Sequence, residues 1–312
     1  MRVVFFGTPQ WAVPSLDAMI GAGIEVTSVI TKADRSAGRG MRLAPRPTAD
    51  RARELGLPLY QPERPSGEET RTWFRSQRAD AAVVVGYGSI LPKQLIEIPP
   101  LGFVNLHFSL LPCYRGAAPV ARAIMDGVTE TGVTIMVLTE GMDEGPLLAQ
   151  RPLPVEPDET MGSVGKRLAE FGSELLVESL RAYSDGELKP EPQNHSAATY
   201  APKITDQEAR IIWGSQRRLI RDLARALNPA PGAWTTLRAT RLKVHGAQLP
   251  GPQFPLEPGR LSPGELLAGA ALWVGTGDGP LALTEVQLAG RRRMSGPELA
   301  RGLRLEPGEM LH

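Results

Sequence analysis

The 312-residue chain has one cysteine, Cys113, and no long run of apolar residues. A single thiol excludes an internal disulfide and a zinc site built from cysteines. A membrane span would need about 18–20 consecutive apolar residues. The first ten residues, MRVVFFGTPQ, lack the basic and apolar regions of a secretory signal. We therefore expect a cytoplasmic protein with no membrane association.

An excess of charge of one sign is also lacking, since 35 Lys and Arg residues stand against 34 Asp and Glu residues. Any site for a polyanion must therefore depend on local clusters of charge. The sequence contains no GxGxxG after its first strand, no Walker A loop and no HExxH. These absences argue against a nicotinamide oxidoreductase or a nucleotidase, and no spacing of ligands predicts a metal.

Apolar runs alternate with helical patterns over about the first 190 residues. Near-continuous Val and Ile runs between helices are typical of a parallel sheet covered on both faces. Residues 1–188 are therefore predicted to form an α/β domain with a Rossmann-like, doubly wound, mostly parallel sheet. The predicted strands are 2–6, 24–30, 79–85, 102–107 and 132–138, and the clearest helices are 11–22 and 161–183.

The pattern changes after the long helix. Residues 189–206 are punctuated by proline and weakly periodic, which predicts a linker. A helix near 215–227 precedes short strand candidates separated by turns rich in Gly and Pro. These strands are 233–237, 242–248, 271–276 and 281–287. Residues 207–312 are therefore predicted to form a small, OB-like β-barrel.

Two polar residues, Asn105 and His107, end the strand pattern GFVNLH. Residues two apart on a strand share a face, and the carboxyl edge of a parallel sheet is where α/β folds bind ligands. An amide can stabilise an oxyanion and an imidazole can exchange a proton, so the pair suits acyl transfer. Polar residues that merely cap loops would give the same pattern.

Asp143 lies between Gly141 and Gly145 after another apolar run. At the carboxyl end of a neighbouring strand of the mostly parallel sheet, its carboxylate could orient His107 or accept a proton from an attacking amine. An ordinary Asp–Gly turn has the same sequence. No serine or cysteine is paired with a base. Direct acyl transfer to an external nucleophile is therefore favoured.

Basic residues concentrate in the loop 32–53, where seven Lys and Arg residues stand against two Asp residues. Further clusters are Arg217, Arg218, Arg221 and Arg225, and then Arg291, Arg292 and Arg293. A solvated face often carries such charges. Clusters beside a predicted active site nevertheless favour a phosphate-rich partner such as RNA.

Motifs from end to end resemble those of the methionyl-tRNA formyltransferases, which are folate-dependent formyltransferases. They include FFGTP at 5–9, DRSAGRG at 34–40, NLHFSLLPCYRGAAPV at 105–120, YAPKIT at 200–205 and NPAPGAW at 228–234. The resemblance implies formyl transfer from 10-formyltetrahydrofolate to the α-amine of methionyl initiator tRNA, which gives N-formylmethionyl-tRNA for translation initiation. It also implies that the second domain helps to hold the tRNA.

We expect the protein to be a monomer. The resemblance further implies roles for particular residues. The catalytic trio would be Asn105, His107 and Asp143; the folate-contacting stretch would be Ser109, Leu110, Leu111 and Pro112; the tRNA-binding residues would be Arg39 and Arg42. The chain departs from the family where Phe108 replaces a small residue and Cys113 an arginine. These departures concern ligand contact more than the reaction.

Other functions share parts of this pattern. The same trio serves formyltransferases acting on glycinamide ribonucleotide or an amino-sugar nucleotide, and hydrolases that release formate from the folate. The glycinamide enzymes resemble only the first domain of this chain, so its second domain argues against that function. The amino-sugar enzymes have a comparable second domain, and the arginine-bearing loop 34–46 is the feature that distinguishes this chain from them. The alternative from another class of function is a catalytically inactive RNA-binding protein. Such a protein would not need an intact catalytic trio.

Overall fold

The computed structural model describes residues 1–37, 42–44, 46–251 and 261–312, with the side chains of 35–37 and 42–44 left out. The chain divides into two compact units. The first comprises Met1–Pro119, Glu130–Pro154 and Gly165–Pro202, and the second comprises Val120–Thr129, Val155–Val164 and Lys203–His312. The boundaries 188 and 206 of the predicted domains remain predictions.

The strands of the first unit are β1 Arg2–Gly7, β2 Glu25–Ile30, β3 Arg35–Ala37, β4 Arg42–Ala44, β5 Leu59–Tyr60, β6 Ala81–Val85, β7 Phe103–His107, β8 Glu130–Val137 and β9 Leu147–Pro154. Within the described residues, seven of them form a mixed sheet in the order β5-β2-β1-β6-β7-β8-β9. Strands β3 and β4 pair with each other, antiparallel, in a separate two-stranded sheet. All five predicted strands are present, and the predicted fold class is confirmed.

The sheet is parallel from β5 to β7 and antiparallel at β8 and β9. The expectation that β8 ends at the same edge as β7 is therefore wrong. Val137, the last residue of β8, pairs with Val104 near the start of β7. The run GVTIMV is apolar because β8 is buried almost throughout. Such a run indicates burial on both faces of a sheet, which is typical of parallel strands but is also possible for an antiparallel one.

The first unit contains the helices α1 Val13–Gly21, α2 Pro47–Glu54, α3 Glu68–Ser76 and α4 Lys93–Ile96. Helix α5 is Pro119–Met125 and lies almost entirely in the second unit, whereas most of α6 Met161–Ser184 lies in the first. The predicted helix 11–22 begins later, at Val13, because Gln10–Ala12 forms a 3-10 turn and Pro14 suits the first turn of an α-helix. The predicted helix 161–183 is present, and Gly186 follows it with φ +75°.

The second unit contains an antiparallel sheet in the order β10-β11-β14-β13-β12, with β15 paired to β14. Its elements are α7 Arg217–Ala226, β10 Ala233–Leu237, β11 Thr240–Gln248, β12 Leu266–Ala268, β13 Leu272–Thr276, β14 Gly279–Leu288, β15 Met294–Ser295 and α8 Gly296–Leu303. The last residues of the chain close this sheet. Leu311 bridges to Leu237 at one edge, and Met310 bridges to Glu265 at the other. The predicted small barrel is therefore confirmed.

Candidate functional site

Strand β7 carries Asn105 and His107 at its carboxyl end. The strand lies between β6 and β8, and the two side chains share one face because they are two residues apart. They are 7% and 6% exposed. Within the described residues, the side-chain amide of Asn105 has no hydrogen-bond partner. A nearly buried amide of this kind has donors available for a ligand.

The imidazole of His107 is held in one orientation. Its Nε2 lies 3.0 Å from the carbonyl oxygen of Tyr114. A carbonyl oxygen only accepts, so Nε2 carries a hydrogen and donates it. The other nitrogen, Nδ1, lies 3.7 Å from Oδ2 of Asp143. In the neutral ring Nδ1 therefore has a free lone pair on the side of the carboxylate, where it can accept a proton.

Asp143 reaches His107 from the loop 138–146, which follows β8 and returns toward the end of β7. The backbone N–H of Gly116 donates to its Oδ2 at 2.8 Å. Asp143 has φ +52°, in the left-handed region that non-glycine residues adopt at a cost. The structure thus brings Asp143 to His107, although through a returning loop and not through a neighbouring parallel strand.

The predicted folate-contacting stretch follows β7 as a tightly bonded turn. Ser109 is fully buried and its hydroxyl donates to the carbonyl of Cys113 at 2.6 Å. The hydroxyl of Thr134 donates to the Ser109 carbonyl at 2.6 Å and accepts from the Leu111 N–H at 3.1 Å. The hydroxyl of Ser109 therefore shapes the turn, so a ligand would meet other atoms of this stretch.

Leu110, Leu111 and Pro112 complete the turn. Leu111 is buried, whereas Leu110 and Pro112 are partly exposed. The side-chain amide of Gln150 donates to the Leu111 carbonyl at 2.7 Å. Sequence reasoning missed Thr134 and Gln150. A polar residue inside the apolar run GVTIMV was the signal that could have identified Thr134.

The two departures from the family pattern have different surroundings. Phe108 is buried, and its ring packs edge-on against Trp11 with centroids 5.8 Å apart. Its bulk is therefore accommodated beside the turn that follows β1. Cys113 is partly exposed, and its carbonyl is the acceptor for Ser109.

The segment 191–201, inside the predicted linker, is hydrogen-bonded to the site. The N–H of Arg115 donates to the Thr199 carbonyl at 2.9 Å, and the N–H of Ala201 donates to the Arg115 carbonyl at 2.7 Å. Gln193 is buried and bonds to Arg115 and to the loop of Asp143. Nothing in the sequence PEPQNHS distinguishes this glutamine.

The basic clusters are partly neutralised. Arg39 lies outside the described residues, and the side chain of Arg42 is among those left out. In the rest of that loop, Arg51 pairs with Asp17 and Arg53 with Asp34. On α7, the nearly buried Asp222 pairs with Arg218, Arg221 and Arg225. The number of basic residues in these clusters is therefore larger than the number of positive charges that are available to bind a polyanion.

Within the described residues, no group of three or more His, Cys, Asp or Glu side chains could hold a metal ion. No described helix combines the length and apolar character needed to span a bilayer.

Comparison with known sequences gives matches over nearly the whole chain. The family described as formyl transferase matches residues 1–180, and its C-terminal domain matches residues 203–304. The methionyl-tRNA formyltransferases of Heliobacterium modesticaldum and Acidothermus cellulolyticus are each 42% identical to this chain, over 99% of its length and 99% of theirs.

Comparison with solved structures gives more distant matches. HypX from Aquifex aeolicus, in complex with tetrahydrofolic acid, has a TM-score of 0.68 and 19% identity over 96% of this chain and 47% of its own. This chain therefore spans about half the length of HypX. An N-formyltransferase from Helicobacter canadensis, in complex with folinic acid and dTDP-3-aminofucose, has a TM-score of 0.66 and 16% identity over 91% of this chain and 98% of its own. At such identities the likeness shows the fold alone.

Proposed function

Since this chain belongs to the formyl transferase family and is an enzyme of that family, we propose that it formylates methionyl initiator tRNA. The formyl group would come from 10-formyltetrahydrofolate and pass to the α-amino group of methionine, giving N-formylmethionyl-tRNA for translation initiation. The observation that carries the proposal is the contact between His107 and Asp143 beside the unpartnered amide of Asn105.

In the proposed reaction, the donor supplies a formyl group on a nitrogen. The new C–N bond to the methionine amine forms as the bond to the donor nitrogen breaks, and one proton passes from the amine to the donor. The N–H groups of Asn105 would stabilise the negative charge that develops on the formyl oxygen. This role fits a nearly buried amide with free donors.

The proton transfers are assigned to His107 and Asp143. Because Tyr114 fixes the hydrogen on Nε2, the neutral ring presents Nδ1 as the base. A carboxylate 3.7 Å from Nδ1 stabilises the imidazolium that forms when the ring takes the proton. Asp143 would thus tune His107 and help to remove the amine proton, which then returns to the donor nitrogen.

The folate would lie against the stretch 109–112. The partly exposed Leu110 and Pro112 present an apolar surface that suits a flat ring. The Thr134 hydroxyl, which donates to the Ser109 carbonyl and accepts from the Leu111 N–H, and the Gln150 amide, which donates to the Leu111 carbonyl, fix the backbone there. The residues present therefore fit a folate. No step of the proposed reaction requires a metal.

Recognition of the tRNA is assigned to Arg39, Arg42 and the predicted domain 207–312. This assignment is supported by the resemblance of the loop DRSAGRG to that of the methionyl-tRNA formyltransferases and by the full-length relatives of that name. We also propose that the enzyme acts in the cytoplasm as a monomer.

The direct test is to mix the purified protein with 10-formyltetrahydrofolate and charged initiator methionyl-tRNA and to measure formylmethionine after hydrolysis. Parallel reactions contain an amino-sugar nucleotide or no acceptor, and His107→Ala serves as the inactive variant. We expect rapid formylation of the tRNA alone. Formylation of the sugar, or formate release without an acceptor, would overturn the proposed acceptor. Binding of tRNA without folate binding or any turnover would support an inactive RNA-binding protein.

A further inference from the structure

The side-chain amide of Gln193 makes four hydrogen bonds beside the catalytic loop. Its nitrogen donates to the carbonyl oxygens of Asp143 at 2.9 Å and Gly145 at 2.7 Å. Its oxygen accepts from Nε of Arg115 at 3.1 Å and from Nη2 at 2.6 Å. An amide has two N–H donors and an oxygen with two lone pairs. The hydrogen-bonding capacity of Gln193 is therefore used within the protein, and its side chain is 5% exposed.

The backbone of Asp143 needs such support. Its positive φ lies in a region that a non-glycine residue adopts at a cost, and it persists only where the surroundings determine it. The loop also has to return toward the end of β7, because β8 is antiparallel to β7. The N–H of Gly116 holds the Asp143 carboxylate but leaves the backbone of the loop free. Gln193 supplies the contacts to that backbone.

Arg115 gives Gln193 a fixed anchor. Arg115 is 2% exposed, and its guanidinium bonds to Gln193 and to Nδ1 of His195. The amide oxygen of Gln193 accepts from both Nε and Nη2 and is therefore the main acceptor of this guanidinium among the described residues. Arg115 is adjacent to Gly116. Gly116 therefore fixes the carboxylate of Asp143 directly, and the neighbouring Arg115 fixes the backbone of Asp143 through Gln193.

We propose that Gln193 is a positioning residue for formyl transfer. It holds the backbone of Asp143 so that the carboxylate stays beside Nδ1 of His107, and it touches neither substrate. This inference rests on the proposed function. A residue of this kind affects the chemical step, so its loss lowers kcat and leaves substrate binding unchanged.

The first variant is Gln193→Glu, which keeps the shape of the side chain. A carboxylate still accepts from Arg115, but it has no hydrogen for the carbonyls of Asp143 and Gly145 and repels them. We expect kcat to fall about 10- to 100-fold, with KM for the folate and for methionyl-tRNA changed less than about twofold. Gln193→Ala, which leaves space for water in place of the amide, is expected to lower kcat in the same direction.

The matched control is Gln77→Glu at the end of α3. The amide of Gln77 also donates to a backbone carbonyl, that of Trp73, but it lies outside the site residues. We expect unchanged kcat for this variant. Thermal unfolding of each protein shows whether it is folded at the assay temperature.

The decisive measurement is a double-mutant cycle with Asp143→Ala. If Gln193 acts only through Asp143, Gln193→Glu lowers kcat in the wild-type background and has no further effect in Asp143→Ala. Equal fold-losses in both backgrounds, or a rise in KM with unchanged kcat, would overturn the positioning role. Wild-type protein that does not formylate methionyl-tRNA would overturn the proposed acceptor instead. The cycle would then be measured with the acceptor that is used.

Discussion

At the scale of single residues, the negative charge of Asp143 is the feature on which the proposed chemistry depends. Asp143→Asn keeps an oxygen for the Gly116 N–H but removes the charge that stabilises a protonated His107. We expect kcat to fall about 10²- to 10⁴-fold, with tRNA binding nearly unchanged. Steady-state kinetics and tRNA titration test this. Glu144→Gln, at an exposed neighbouring carboxylate, is the control, and equal losses in binding and turnover would contradict the assignment.

Glu208 is an ion-paired carboxyl in the second unit. Nη1 of Arg122 lies 2.8 Å from its Oε1, and the N–H and hydroxyl of Thr205 each donate to its Oε2 at 2.9 Å. The hydrogen bond from Arg122, followed by those from Thr205, lowers the pKa of Glu208 from 4.5 to about 2. Because the pKa of Glu208 is lower in the folded protein than in the unfolded chain, its ionised carboxylate stabilises the folded state at pH values above the unfolded pKa. This stability is lost as the pH falls toward about 2.

Because the side chain of Glu208 is 38% exposed, water screens the interaction. We therefore expect Glu208→Gln to lower the free energy of unfolding by about 1 kcal/mol at pH 7, and we expect this difference to vanish as the pH approaches 2. Urea unfolding at a series of pH values measures it. Glu187→Gln, at an exposed carboxyl, is the control. A Glu208→Gln difference that stays constant with pH would contradict the explanation.

The sequence predicts the site residues that interrupt an apolar pattern. Asn105 and His107 are visible because a strand end turns polar, and Asp143 because glycines flank it. Gln193 is not visible, since it follows prolines in a weakly periodic segment and meets its partners only after folding. The tautomer of His107 likewise depends on the Tyr114 carbonyl, a backbone group that side-chain patterns do not reveal.

At the scale of elements, the cap of α8 is a testable source of stability. The N–H of Glu298 donates to the Ser295 hydroxyl at 3.3 Å, and the N–H of Ser295 donates to the Glu298 carboxylate at 2.7 Å. Ser295→Ala removes one acceptor at the helix start and is expected to lower the free energy of unfolding by about 1 kcal/mol. Urea unfolding measures it. Ser295→Thr, which retains a hydroxyl, should recover most of the loss, and an equal loss for both variants would contradict the cap.

The sequence predicts the existence and type of helices and strands better than it predicts the direction of a strand in the sheet. Strand β10 has the predicted bounds, Ala233–Leu237. The direction of β8 was wrong, because alternation and burial are the same for parallel and antiparallel neighbours. Strand β9 was not predicted, since QRPLP carries prolines and charges that suit an edge strand.

At the scale of the whole molecule, near-neutrality of charge means that the proposed tRNA binding has to depend on local clusters of cations. We expect Arg39→Ala and Arg42→Ala each to weaken tRNA binding and to reduce the slope of log K against log salt by about 1. Binding titrations from low to high salt measure this. Arg75→Ala, at an exposed residue of α3, is the control. Unchanged slopes for both loop variants would exclude these arginines from phosphate contact.

The dependence of the site on residues 191–201 constrains how such chains can be recombined. The segment follows the first matched family region, which ends at residue 180, and precedes the second, which begins at 203. Exchanging C-terminal halves between relatives at residue 180 would pair the Asp143 loop of one parent with the supporting glutamine of the other. A crossover after Pro202 transfers the loop and its support together. Selection on active chimaeras would therefore favour a junction between 202 and 203 over a junction at 180.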